Sequence, residues 1–111
     1  MVDIGSYVNY SKRMIEILKS ATFDRWLRKL RDPNARARIQ TRIRRLSLGN
    51  SGDAQPIGEG LSEMRIDYGP GYRVYYMQRG NVLIVLLCGG DKRTQTKDIA
   101  RAKKIAADWK E

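Results

Sequence analysis

The chain has 111 residues, with 22 Lys and Arg against 12 Asp and Glu, one cysteine and no histidine, for a formal charge of +10. That length supports one domain with one modest core, and the charge points to a polyanionic partner. The counts exclude an internal disulfide, a zinc site built from Cys and His, and any acid–base chemistry that uses imidazole.

The first 13 residues, MVDIGSYVNYSKR, carry no sustained period and read as a weakly ordered arm; residues 14–111 read as the single domain. Met14–Leu18 predicts a short strand. Phe23, Trp26, Leu27 and Leu30 fall on one face of a helix. Asp32-Pro33 ends that helix and opens a second, since Asp is a good N-cap and Pro suits the first helical position. Ala35, Ile39, Ile43 and Leu46 continue at helical spacing until Gly49. The result is a helical hairpin over about 21–48.

The stretch from Asn50 to Gly60 is rich in Gly, Ser, Asp and Pro and predicts a loop. Glu63–Asp67, Tyr72–Arg79 and Val82–Cys88 then predict an antiparallel meander, with turns at Gly69-Pro70-Gly71 and Gly80-Asn81. Val82–Cys88 is apolar throughout, as in a central strand covered on both faces. Cys88 belongs to that run and reads as a buried core thiol. The same run is too short to span a bilayer, and the N-terminus lacks the apolar stretch of a signal peptide, so the expected location is cytoplasmic. Thr94 opens a last helix with Ile99, Ala102, Ala106 and Trp109 on its inner face. The predicted class is α+β: a small curved antiparallel sheet against an N-terminal helical hairpin and a C-terminal helix, in the order β-α-α-β-β-β-α.

Two sets of cations stand out. Lys19 to Leu48 holds ten Lys or Arg and two Asp. Arg36, Arg38, Arg42, Arg44 and Arg45 fall mainly on the outward side of the second predicted helix. A soluble helix usually mixes signs to relieve repulsion, so this face is a candidate surface for RNA or another polyanion. The second set lies near the meander. Arg73 follows the Gly71-Tyr72 turn and shares a strand face with Tyr75 and Met77; it reads either as an ion-pair partner or as an anion ligand. Lys92 and Arg93 follow the glycine pair after the last strand and approach Arg73. With Asp91 as their one evident acid, a bound phosphate would relieve the repulsion among them. Lys97, in the first turn of the last helix, opposes the helix dipole and fits the same reading.

FDRWLRKLRD, GLSEMRIDYGPGYRVYY and LLCGGDKRTQTKDIARAKKIA together resemble the RelE/ParE toxin superfamily, and more closely its HigB-like addiction module killer protein branch. The resemblance runs from about Met14 to Trp109. It implies the toxin of a type II toxin–antitoxin system, an mRNA endoribonuclease acting with the ribosome and needing no cofactor or metal. It also implies a cognate antitoxin of helix-turn-helix, HigA-like type, through which promoter DNA is contacted indirectly, and no membrane partner. The implied chemistry is attack of the RNA 2′-hydroxyl on the adjacent phosphate with departure of the 5′-oxygen. Arg73 and Arg93 match the family's strand and post-strand arginines and take phosphate stabilisation. Lys92, Lys97 and Arg65 are further candidates for orienting RNA or moving protons. Asp91 is a candidate base, or else the cap of its turn. Some relatives place a proton-transferring Tyr or His in the last helix, where this chain has Ile99; Tyr75 and Tyr76 are the substitutes, with core packing the competing role for Tyr76. Two other activities suit the same residues: poisoning of DNA gyrase in the manner of ParE, and nucleic-acid binding without catalysis.

Overall fold

The computed structural model describes residues 14–109, and the N-terminal arm lies outside them. The fold is α+β. Strand β1 (Glu16–Lys19) leads into helices α1 (Ala21–Lys29) and α2 (Pro33–Ser47). Strands β2 (Ala54–Gly58), β3 (Leu61–Ile66), β4 (Tyr72–Arg79) and β5 (Leu83–Asp91) follow. A 3₁₀ turn (Lys92–Thr94) then opens helix α3 (Gln95–Asp108). The sheet order is β1-β5-β4-β3-β2. β2 to β5 form an antiparallel meander, while β1 pairs parallel to β5. No described helix is long and apolar enough to cross a membrane.

Local chemistry accounts for the helix boundaries. Ser20 caps α1 by accepting from Phe23 N at 2.9 Å, and its hydroxyl donates to Leu87 O at 2.6 Å. One side chain thus starts the helix and pins it to β5. Asp32 caps α2 by accepting from Asn34 N and Ala35 N, with Pro33 next in sequence.

Three sequence expectations need correction. The Asn50–Gly60 segment is not all loop, because Ala54–Gly58 pairs with β3 as an edge strand. Pro56 hid it: proline argues against a central strand but is tolerated at an edge, where one side of the backbone has no strand to bond. The ladder slips between Pro56 and Gly58, as a bulge allows. The first strand lies one to two residues later than its alternation suggested, at Glu16–Lys19. Finally, Gly89, Gly90 and Asp91 are not beyond β5 but inside it.

The sheet separates two apolar clusters. On one face Phe23, Leu27, Ile39, Ile43 and Leu46 from α1 and α2 meet Met64, Ile66, Val74, Tyr76, Ile84 and Leu86. On the other, Ala102, with Ile99, Ile105, Ala106 and Trp109 beside it, meets Leu61, Tyr75, Met77, Val85 and Leu87. β5 lies between them and is buried from Leu83 to Gly89, which is why its sequence is apolar without alternation. Cys88 is 1% exposed, and burial first, then the Asp98 charge, pushes its thiol up to about 12.

The glycine pair serves both faces. A Cβ on Gly89 would sit 2.3 Å from Trp26 Cε3, so the missing side chain lets the α1 indole lie on the strand. One residue on, the strand turns its other side outward, and a Cβ on Gly90 would collide with the Asp98 carboxylate of α3. Neither glycine is needed for an unusual φ; both are needed for close approach. Gly89→Ala and Gly90→Ala are each expected to lower stability by about 1–3 kcal/mol through overpacking, read as a lower urea midpoint with unchanged m. Adding Trp26→Leu should recover part of the loss for Gly89→Ala and none for Gly90→Ala.

Candidate active site

The centre of the site is a residue that the sequence reading passed over. Glu63, on β3, is 0% exposed. Its Oε1 accepts from Arg65 Nε at 3.0 Å and Arg73 Nη1 at 3.2 Å. Its Oε2 accepts from the Tyr75 hydroxyl at 3.0 Å and Gln95 Nε2 at 2.8 Å. The register makes this convergence natural: Glu63 lies opposite Tyr75, and Arg65 opposite Arg73. These residues alternate onto the α3 face, and Gln95 is the first residue of α3. Four donors from three elements therefore close on one carboxylate.

This changes the electrostatics expected from sequence. Arg73 does not lack a matching acid; it is 9% exposed and pairs with Glu63. Burial would raise the Glu63 carboxyl, but hydrogen bonds from Gln95, Arg65 and Tyr75 and the charge of Arg73 outweigh it and hold the group below its usual value. The Tyr75 hydroxyl moves the other way, driven up by burial and by the Glu63 charge. A phenol that is fully buried and donates to a carboxylate is poorly placed to exchange protons with a substrate. Arg73 Nε is buried with no hydrogen-bond partner among the described residues, leaving one donor of the guanidinium fork uncommitted.

The other predicted residues lie around the same end of the sheet. Arg73 is opposite Gly90 and Tyr72 opposite Asp91, so the start of β4 adjoins the turn that carries Lys92 and Arg93. A Cβ on Gly71 would lie 3.5 Å from Lys92 Cβ, which places Lys92 against the β3–β4 turn. Asp91 caps its turn by accepting from Arg93 N at 2.8 Å, and also accepts from Arg93 Nη2 at 3.0 Å. These bonds hold the Asp91 carboxyl below its usual range. Arg93 itself extends into solvent. Lys97 is exposed on the first turn of α3, away from the Glu63 bonding set. Thr94 stands at the N-cap of α3 without capping it; its hydroxyl donates to Asp98 Oδ2 at 2.5 Å. Tyr76 is buried in the opposite cluster with Ile39 and Ile43.

The arginines of α2 do not form the uniform solvated face that their spacing suggested. Arg42 donates to Arg65 O at 2.5 Å and to Ser51 O and Asp53 O at 3.3 Å, tying the helix to β3 and to the segment before β2. Arg36 donates to Leu30 O, closing the α1–α2 turn. Arg38 lies 4.6 Å above the ring of Tyr68, whose hydroxyl donates to the Asp32 cap at 2.7 Å. Arg44 and Arg45 are exposed. Arg38, Arg42 and Arg45 also border a cavity of about 370 Å³ with Thr41 and Asp67.

The Glu63 cluster carries a pH signature. Its carboxyl is lower in the folded chain than the usual glutamate value of 4.5. Its stabilisation is therefore complete above that value and is lost as pH falls through the folded value. Urea midpoints should fall on acidification below about pH 4.5. Glu63→Gln should flatten that dependence and cost about 3–5 kcal/mol at neutral pH, because it leaves two arginines without their buried partner.

An uncharacterized protein of Haemophilus influenzae is 51% identical over 94 residues, covering 85% of this chain and 95% of that protein. Residues 25–110 match the family described as phage derived protein Gp49-like (DUF891). That match runs from within α1 through α2 and β2 to β5 to the end of α3, and includes the whole Glu63 cluster. The chain belongs to the Gp49-like family, within the RelE/ParE-like toxin superfamily.

Proposed function

We propose that the protein is the toxin of a type II toxin–antitoxin pair, of the HigB-like kind, and that it cleaves mRNA on the ribosome. The observation that carries this reading is the Glu63-anchored arginine pair, Arg65 and Arg73, beside the Lys92-Arg93 turn. In the reaction the 2′-hydroxyl loses its proton and attacks phosphorus. The P–O5′ bond breaks, a 2′,3′-cyclic phosphate forms, and the 5′-oxygen takes up a proton. Negative charge accumulates on the phosphoryl oxygens in between. Fixed donors aimed at that charge are usually the largest single catalytic contribution.

Each residue then has a role suited to its setting. Glu63 is buried and saturated with donors, so it positions Arg65 and Arg73 rather than meeting RNA. The more exposed Arg65 addresses the scissile phosphate, together with the small part of the Arg73 guanidinium that reaches the surface. Lys92 and Arg93, in solvent at the rim, hold the flanking backbone. Asp91 fixes Arg93 and the turn, and so acts as an orienting group rather than the base. The ribosome supplies alignment of the RNA, which lowers the demand on any protein base. The exposed arginines Arg44 and Arg45 suit ribosomal RNA, with the antitoxin a helix-turn-helix protein that blocks access.

The test is induced expression in bacterial cells of wild type, Arg93→Ala and Arg65→Ala, with transcript 5′ ends mapped over a short time course. New ends inside translated reading frames are expected for wild type. They should fall roughly a hundredfold in Arg65→Ala, the usual loss when one preorganised donor is removed, and less in Arg93→Ala, which loses a flanking contact. Arg93 is exposed and its loss leaves folding intact; Arg65→Ala removes one of four donors to the buried Glu63, so its folding is checked by circular dichroism at the expression temperature. Growth arrest without new ends would overturn the nuclease reading and turn attention to DNA gyrase.

A further inference from the structure

The end of β5 is open on the side away from β4. β1 covers only Leu83 to Leu86, and the Ser20 hydroxyl takes the Leu87 carbonyl. Beyond that point no described strand pairs with β5 on this edge. α1 passes on one face of the sheet and α3 on the other, so their side chains meet around the uncovered edge. They enclose a cleft of about 190 Å³ lined by Thr22, Arg25, Trp26, Lys29, Gly89 and Arg101.

The chemistry of this cleft is one-sided. Arg25 and Lys29 come from α1 and Arg101 from α3, and no acid lines it. None of the three has an ion-pair partner among the described residues. Like charges gathered in a concavity are costly unless an anion joins them. The wall between the cations is the Trp26 indole, lying on Gly89 and edge-on to Tyr72 at 6.2 Å. Phosphate-binding cations around a flat aromatic wall are what single-stranded nucleic acid requires: charge for the backbone and a surface for a base or ribose. A membrane surface would want protruding apolar groups instead, and none lines the cleft.

We propose that this cleft binds the backbone of single-stranded RNA next to the segment held at the Glu63 cluster, an inference that rests on the nuclease reading. The two places lie at the same end of the sheet but on opposite faces: Gly89 and Trp26 face α1, while Gly90 and Arg73 face α3. The strand ends between them carry Tyr72, edge-on to Trp26, and adjoin the Lys92-Arg93 turn. β5 and β3 are separated by two strand spacings, about 10 Å, so a short extended RNA passing over that end spans from one to the other.

The test is fluorescence anisotropy with a short, labelled, fully 2′-O-methylated single-stranded RNA, which binds without being cleaved, titrated over a salt series. Three proteins are compared: wild type, Arg25→Gln/Lys29→Gln/Arg101→Gln, and a charge-matched control, Lys19→Gln/Arg31→Gln/Lys104→Gln, with folding checked by circular dichroism. The cleft variant should bind at least tenfold more weakly. Its salt slope should be shallower by about 2, at about 0.7 per phosphate contact on a single strand. The control should keep most of the wild-type affinity and slope. Equal losses in both variants, or no loss in the cleft variant, would overturn the cleft while leaving the nuclease reading to transcript mapping. Cleft-dependent binding of duplex DNA in preference to the RNA would overturn the assignment to RNA. Absence of RNA binding by wild type would overturn the cleft together with the claim that the isolated protein holds RNA.

Discussion

Everything at the candidate site depends on one buried carboxylate. Arg65 and Arg73 face each other across β3 and β4, and like charges placed directly opposite destabilise a sheet. Glu63 Oε1 accepts from both, which turns a repulsion into a shared ion pair. The dependence runs both ways. An isolated carboxylate with no exposure would give up its charge rather than stay buried; the two arginines, Tyr75 and Gln95 keep it ionised. Because Gln95 begins α3, the network also fixes where the last helix starts over the sheet. The site is therefore assembled by folding itself.

The two-sided sheet is the second constraint, and it explains the glycines. A strand covered by helices on both faces has no solvent side on which to place bulk. β5 meets this with apolar residues up to Cys88, then with two glycines where the helices come closest. Gly89 admits Trp26 from α1 and Gly90 admits Asp98 from α3. Asp98 is buried and holds the Thr94 hydroxyl, so the turn bearing Lys92 and Arg93 is braced from α3 as well as by Asp91. The glycine pair expected just after the last strand is part of β5 and acts as a packing device that holds the following turn in position.

The sequence disclosed the architecture better than the electrostatics. The helices were legible because Phe23, Leu27, Ile39, Ile43 and Leu46 recur at helical spacing and Asp32 and Pro33 supply boundary chemistry, whereas the Ser20 cap emerged only from the structure. β4 and β5 were legible from apolar content and the intervening Gly80-Asn81. β2 was not, since its pairing depends on β3 and its composition is that of a turn. Glu63 was not either. In LSEMRI, polar residues at alternate positions suggest one solvent-facing side, and only the packing of α3 on that side reveals that the acid is interior. The contributions of Arg36 and Arg42 were hidden for a related reason. Their carbonyl acceptors belong to residues 6 to 23 positions away, beyond any local pattern.

The distribution of charge that results is more selective than +10 implies. Arg36, Arg38 and Arg42 are occupied by a carbonyl, a ring or a cluster of carbonyls, and Arg65 and Arg73 share a carboxylate. Each of these is held in a defined direction by a fixed neighbour. Arg44, Arg45, Lys92 and Lys97 remain mobile surface charge, and Arg93 is tethered only by Asp91. Mobile cations raise encounter with a polyanion but lose rotamer entropy when they grip it. Fixed cations have lost that freedom already on folding, so they discriminate geometry at lower cost. The chain thus combines a diffuse positive field suited to a polyanion with a small preorganised set at the β3–β4 edge, and on the proposed nuclease reading it is the second that separates a catalyst of phosphate chemistry from a merely basic protein.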